Sequence, residues 1–143
     1  MTINMTKVFK KGSVGRLMKS DFCSVQDHIT VDEAIMMIQE YGKQKSNIHY
    51  LYTTNKRDEL SGVLSLKKLL AADDDVLLRD IINEDVVFVS GHIQLKEVAQ
   101  LFYKNDFFII PVTTKHKHMI GVVKSDDVRN ASVRKKRWRF FKK

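Results

Sequence analysis

FFIIPVTTKHKHMIGVVKSDDV, residues 107–128, carries the pattern from which the fold can be read. An apolar run ends in Pro111-Val112. A basic turn follows, Lys115-His116-Lys117-His118. A second apolar run, Met119–Val123, gives way to Ser125-Asp126-Asp127, a polar helix start. β-Branched and aromatic residues favour strands and the charged turn separates them, so the stretch predicts strand, turn, strand, helix. The same order occurs once before. His49–Thr54 is the first strand, Asn55–Asp58 the turn, Ser61–Ser65 the second strand, and Leu66–Leu70 opens the helix. Gly62-Val63-Leu64 aligns with Gly121-Val122-Val123.

The repeat extends upstream. Leu17–Asp21 matches Ile81–Asp85. Val25, His28 and Ile29 match Val89, His92 and Ile93, and Thr30–Ala34 matches Gln94–Val98. These pairs lie about 64 residues apart, and the offset falls to about 59 by the glycine pair. The first copy therefore carries about five extra residues in its middle. Matched landmarks in the same order, polar ones included, indicate an internal duplication.

Two copies of a strand–helix–strand–strand–helix unit, each closing on a Gly-apolar-apolar-(Ser/Thr)-x-x-(Asp/Asn) motif, resemble a tandem CBS-domain pair, or Bateman module. The first copy, with Gly62-Val63-Leu64-Ser65-Leu66, is most similar to the cytosolic CBS region of MgtE-type magnesium transporters. The resemblance implies an α+β fold of α/β-type units, each a small sheet packed with helices, related by pseudo-twofold symmetry. It sets the expected organisation as an N-terminal arm (1–13), a first unit (14–72), a linker (73–79), a second unit (80–131) and a basic aromatic tail (132–143).

A chain of 143 residues is long enough for one domain or two small interlocked ones. Its longest apolar runs, about six residues, are far short of a membrane span. Met1–Gly12 lacks the apolar segment of a secretory signal, and the single cysteine, Cys23, reads as a buried structural thiol. These features point to the cytosol. The net charge of +8 is confined to the end of the chain, where Arg129, Arg134, Lys135, Lys136, Arg137, Arg139, Lys142 and Lys143 occur without an acid. Residues 1–128 are formally neutral, so charge gives the body no nucleic-acid footprint. The tail residues Arg134, Lys135, Lys136, Arg137, Trp138, Arg139, Phe140 and Phe141 suit an anionic membrane or another polyanion, which makes an adaptor the alternative of another class.

Thr30-x-x-Glu33 is a capping box that starts a helix, with Val31, Ala34, Ile35, Ile38 and Tyr41 on one face and Gly42 as its stop. Leu95, Val98, Ala99 and Phe102 repeat the face. Met36 and Met37 read as core fillers or interface residues. The equivalent His28 and His92 read as structural. Asp73-Asp74-Asp75 reads as a solvated linker, because adjacent carboxylates do not converge on one cation. His116 and His118 alternate with lysines, which disfavours a metal. No nucleophile–base arrangement or glycine-rich phosphate loop is present, so a non-enzyme is expected.

The resemblance implies an adenosine-type ligand (AMP, ADP, ATP or S-adenosylmethionine) in the cleft between the copies, and a homodimer. It places Ile110, Pro111, Lys124 and Asp127 of the second copy, and Ser65 and Lys68 of the first, at the ligand. A carboxylate can accept from both ribose hydroxyls. Both motifs depart from the family pattern. Lys68 stands at the first copy's acid position and Lys124 at the second copy's hydroxyl position. The resemblance to MgtE makes a Mg²⁺-responsive accessory module the alternative, although a formally neutral body is a poor match for that role.

Overall fold

A computed structural model describes residues 8–42 and 48–131. The basic aromatic tail lies outside the described residues. The elements are β1 (Cys23–Gln26), α1 (Val31–Gly42), β2 (Tyr50–Thr54), β3 (Leu60–Ser65), α2 (Leu66–Ala71), β4 (Val89–Ser90), α3 (Leu95–Lys104), β5 (Ile109–Thr113) and β6 (Met119–Lys124), and residues 125–131 are helical. They form two three-stranded sheets, β1-β2-β3 and β4-β5-β6.

Both copies use one register. β1 runs parallel to β2 with Val25 opposite Thr53, and β4 runs parallel to β5 with Val89 opposite Val112, the equivalent pair. β2 is buried from Leu51 to Thr54, as a strand between two neighbours must be. β3 pairs antiparallel with β2 and alternates, with Leu60, Gly62 and Leu64 turned inward. Asp58 (φ 61°) and Lys117 (φ 64°) hold the left-handed position at equivalent points of the two turns. In the first turn the Asn55 Oδ1 accepts from the Arg57 and Glu59 N–H groups, a side-chain mimic of a backbone turn.

The chain divides into two compact units whose boundaries differ from those of the repeats. Among the described residues, one comprises 21–42, 48–86 and His116–Met119; the other comprises 8–20, Val87–Lys115 and 120–131. Each sheet is completed by the segment that precedes the other copy. In the first unit Leu78 and Arg79 donate from their backbone N–H groups to the carbonyls of Ile29 and Asp27, both at 2.9 Å, and Asn83 bridges Val63. In the second unit Val14 and Gly15 donate to Ile93 and Gly91 at 2.9 and 2.7 Å, and Lys19 bridges Val122. The stretch expected to be a linker, 73–79, thus contains Leu78, which is fully buried in the first unit's core. Residues 14–20, expected in the first unit, fold with the second copy. A linker needs solvated backbone, whereas these segments satisfy their hydrogen bonds on a sheet and bury apolar side chains.

The first unit's core gathers Cys23, Val25, Val31, Ala34, Leu51, Leu64, Leu69 and Leu78. The second gathers Phe9, Val14, Met18, Val89, Val98, Ile110, Val112, Val123 and Val128. Phe9 shows that the expected N-terminal arm contributes to a core. Val31 and Val98 are fully buried; Ile35, Ile38, Leu95, Ala99 and Phe102 are half-buried against these cores. Met36 and Met37 are exposed, at 62% and 49%, and so do not fill the core of this chain. Helix α1 turns Val31, Ala34, Ile35 and Ile38 inward at helical spacing, which leaves both methionines off the buried face.

Candidate functional site

The second copy's motif lies where β6 passes into the helical stretch 125–131. The Ser125 N–H donates to the Phe108 carbonyl at 2.9 Å, fastening the helix start to the beginning of β5. Ile110 and Pro111 are buried in β5, beside β6. Lys124 ends β6 half-buried, and Asp127 is half-buried in the first helical turn. The neighbouring Asp126 is exposed and pairs with Arg129 at 3.9 Å. No ion pair joins Lys124 to Asp127 among the described residues. The arrangement therefore offers an ammonium and a carboxylate that are not neutralising each other, above an apolar strand.

The first copy's motif is built alike. The Leu66 N–H donates to the His49 carbonyl at 3.0 Å, the equivalent of the Ser125–Phe108 bond. Its polar groups serve differently. The Ser65 Oγ accepts from the Lys68 N–H at 3.1 Å and caps α2, satisfying one of the helix's orphan donors. The Lys68 side chain points away from the core and is exposed. The sequence showed the hydroxyl but not its use as a cap, although Ser65 opening the run Leu66–Ala71 was the available signal.

The remaining candidates separate. Thr30 and Glu33 form the capping box: the Glu33 N–H donates to the Thr30 Oγ1 at 3.2 Å, and the Thr30 N–H donates to the Glu33 Oε1 at 3.3 Å. His28 and His92 occupy equivalent turns but different surroundings. The His28 Nδ1 is 3.8 Å from Asp27 Oδ1, whereas the His92 ring stacks at a tilt on Phe9, centroids 4.8 Å apart. His118 Nδ1 lies 2.9 Å from the Asp58 carbonyl oxygen. Among the described residues no group of three or more His, Cys, Asp or Glu side chains is placed to hold a metal. Nor is any helix among them long and apolar enough to cross a membrane. Cys23 is buried and forms no disulfide.

Comparison with known proteins decides the family. The CBS domain matches twice in tandem, over residues 14–75 and 78–134. The chain belongs to the CBS-domain family. It is a tandem CBS pair, a regulatory module. The pair is 32% identical over 120 residues to the magnesium transporter MgtE of Enterococcus faecalis and 31% identical over 120 residues to that of Thermus thermophilus. Each alignment covers 84% of this chain but only 26% and 27% of the relatives, so the CBS pair spans about a quarter of their length. Among solved structures, the cytosolic domain of the Mg²⁺ channel MgtE in complex with ATP is similar with a TM-score of 0.83 and 29% identity, covering 89% of this chain and 51% of that one. CBSX2 in complex with AMP gives a TM-score of 0.67 at 21% identity, covering 87% and 98%. A CBS domain pair in complex with 5′-methylthioadenosine and S-adenosyl-L-methionine gives 0.65 at 19%, covering 86% and 97%. These last two share the fold.

Proposed function

We propose that this CBS pair is a non-catalytic, cytoplasmic sensor of an adenosine-type ligand, and that its working site is the second copy's motif. The observation that carries the reading is the contrast between the two motifs. Asp127 is half-buried with no ion pair to Lys124, and so can accept from a ribose. In the first copy the serine hydroxyl caps a helix and an exposed lysine replaces the acid. The similar structures solved with ATP, with AMP and with S-adenosyl-L-methionine support an adenosine ligand of this class. Ile110 and Pro111, both buried in β5, form the strand beside which the motif stands. Lys124, half-buried at the end of β6, can lay its stem on apolar surface while its ammonium meets a phosphate, which favours a phosphate-bearing ligand over adenosine.

Calorimetric titration with AMP, ATP and adenosine tests this. Wild type is expected to bind ATP more tightly than adenosine. Asp127→Ala removes two charge-assisted hydrogen bonds and lowers affinity at least about tenfold, while Lys68→Ala changes little. Unaltered binding in Asp127→Ala would show the assignment to be wrong. The identity to MgtE supports a role beside magnesium transport, and repeating the titrations with Mg²⁺ shows whether the cation alters nucleotide affinity. The exposed methionines Met36 and Met37 on α1 support a homodimer, which sedimentation of wild type against Met36→Glu tests.

A further inference from the structure

We propose that the second copy's unit carries a second ligand site, for clustered phosphate groups, made by Lys10, Lys11 and Lys96. A pocket of about 600 Å³ opens beside the start of α3. The three lysines line it together with His92 and Gln94, and among the described residues the lining holds no carboxylate. Its volume falls within the range of small-molecule sites. Three ammonium groups without a counter-charge provide the chemistry that binds phosphate. None of these residues belongs to the Asp127 motif.

The other unit shows that these charges are not a demand of the fold. The positions equivalent to Lys10, Lys11 and Lys96 there hold Asp74, Asp75 and Asp32. The two places share a backbone bridge, Ser13 to Gln94 and Leu77 to Thr30, and one backbone hydrogen bond, although Gly12 takes a positive φ (86°) that the equivalent Val76 does not. The Leu95 N–H donates to the Gly12 carbonyl at 2.9 Å, and the Val31 N–H donates to the Val76 carbonyl at 2.8 Å. A similar local pairing therefore carries acids in one unit and bases in the other. Exposed charges of this kind contribute little to stability, so their sign is free to serve binding. The capping differs in the same sense. Thr30 closes the start of α1 through the capping box with Glu33, whose equivalent Glu97 is also in the first turn of α3, so the acid that differs there is Asp32. Gln94 makes no side-chain cap bond at α3. Its amide remains available beside the lysines.

The ligand class is a species with two or more phosphate groups, either a soluble polyphosphate ester or a phosphorylated lipid headgroup. The test is titration of inorganic tripolyphosphate into the full chain at low salt. Lys10→Asp with Lys96→Asp installs the residues that the other unit carries at these positions, and should fold normally. Its tripolyphosphate affinity is expected to fall at least about tenfold. The single variant Lys96→Ala should show part of that loss. Lys135→Ala with Lys136→Ala and Arg137→Ala, which removes charge from the tail, should retain most of the binding. Pocket-dependent binding to vesicles containing a phosphorylated inositol lipid, as well as to tripolyphosphate, supports a headgroup; binding to tripolyphosphate alone supports a soluble ester. Binding lost in the tail variant and kept in the pocket variant overturns the proposal. So does a wild type that binds no tripolyphosphate but changes oligomeric state when the lysines are reversed, since the lysines would then face Asp32, Asp74 and Asp75 of a second copy.

Discussion

Gly62 and Gly121 show why the repeated motif needs glycine. A Cβ on Gly62 would stand 2.5 Å from Ile82 Cδ1 and 2.9 Å from Ile82 Cβ. A Cβ on Gly121 would stand 2.9 Å from Met18 Sδ, and Met18 is the equivalent of Ile82. The segment that completes each sheet therefore lies directly on the motif strand. Gly62→Ala is expected to destabilise by about 1–3 kcal/mol, because a β-branched neighbour held at its Cβ cannot swing aside. Gly121→Ala should cost less, since the end of a methionine is flexible, but not nothing, because the Lys19 carbonyl oxygen lies 3.0 Å from that Cβ and is held by the Val122 N–H. Urea unfolding of both variants checks the order, and a neutral Gly62→Ala would contradict the packing described. Ser65→Ala should lose about 1 kcal/mol through the missing cap while nucleotide affinity stays unchanged. Tyr52 adds a pH dependence. Burial, and secondarily the neighbouring Tyr50, raises its hydroxyl above the usual value of 10.0. The folded protein then holds a proton that the unfolded chain releases above that pH, so stability is full below about pH 10 and declines above it. Tyr52→Phe should flatten the decline in melts taken between pH 9 and 11.

At the scale of elements, the strands and helices were legible because the apolar periods were strong and were stated twice. Val25 opposite Thr53 and Val89 opposite Val112 even preserve the register implied by the matched landmarks. The ends of the copies were not legible. Phe9, Val14 and Leu78 lie in stretches too short and irregular to show a period, and their burial depends on a sheet distant in sequence. The motif residues were legible as types, but their partners were not: nothing in the spacing showed that Ser65 caps α2 or that Lys124 and Asp127 stay apart. The charge of the Asp73-Asp74-Asp75 run was visible, but its relation to Lys10 and Lys11 lies in the matching bridges Thr30–Leu77 and Gln94–Ser13, which join segments distant in sequence. Phe9 gives the test at this scale. Its ring rests where a Cβ on Gly15 or Gly91 would come within 2.1 and 2.4 Å of it. Phe9→Ala should therefore cost about 3–5 kcal/mol, far more than expected of a solvated arm. A change below about 0.5 kcal/mol in urea unfolding would return residues 8–13 to the status of an arm.

For the whole molecule, the exchange of leading segments makes the repeat boundary the wrong place to divide the chain. A fragment ending at Ala72 contains β1, α1, β2, β3 and α2, the complete first repeat by sequence. It lacks Leu78, Ile81 and Ile82, which close the first unit's core, and the Asn83 backbone that bridges Val63. It also carries Phe9, Val14 and Met18 without the sheet that buries them. The complementary fragment, 73–143, has the reverse deficiency. Removing three large apolar groups from a core this small costs several kcal/mol, comparable with the whole stability of a small domain. Each fragment alone should therefore show a weak or absent cooperative transition, while mixing them should restore both cores and recover a sharp thermal transition by circular dichroism. The recovered midpoint should rise with concentration, because the cores then form by association. A 1–72 fragment that unfolds cooperatively by itself near the midpoint of the full chain would show that the exchanged segments are not needed, and that each repeat is its own folding unit.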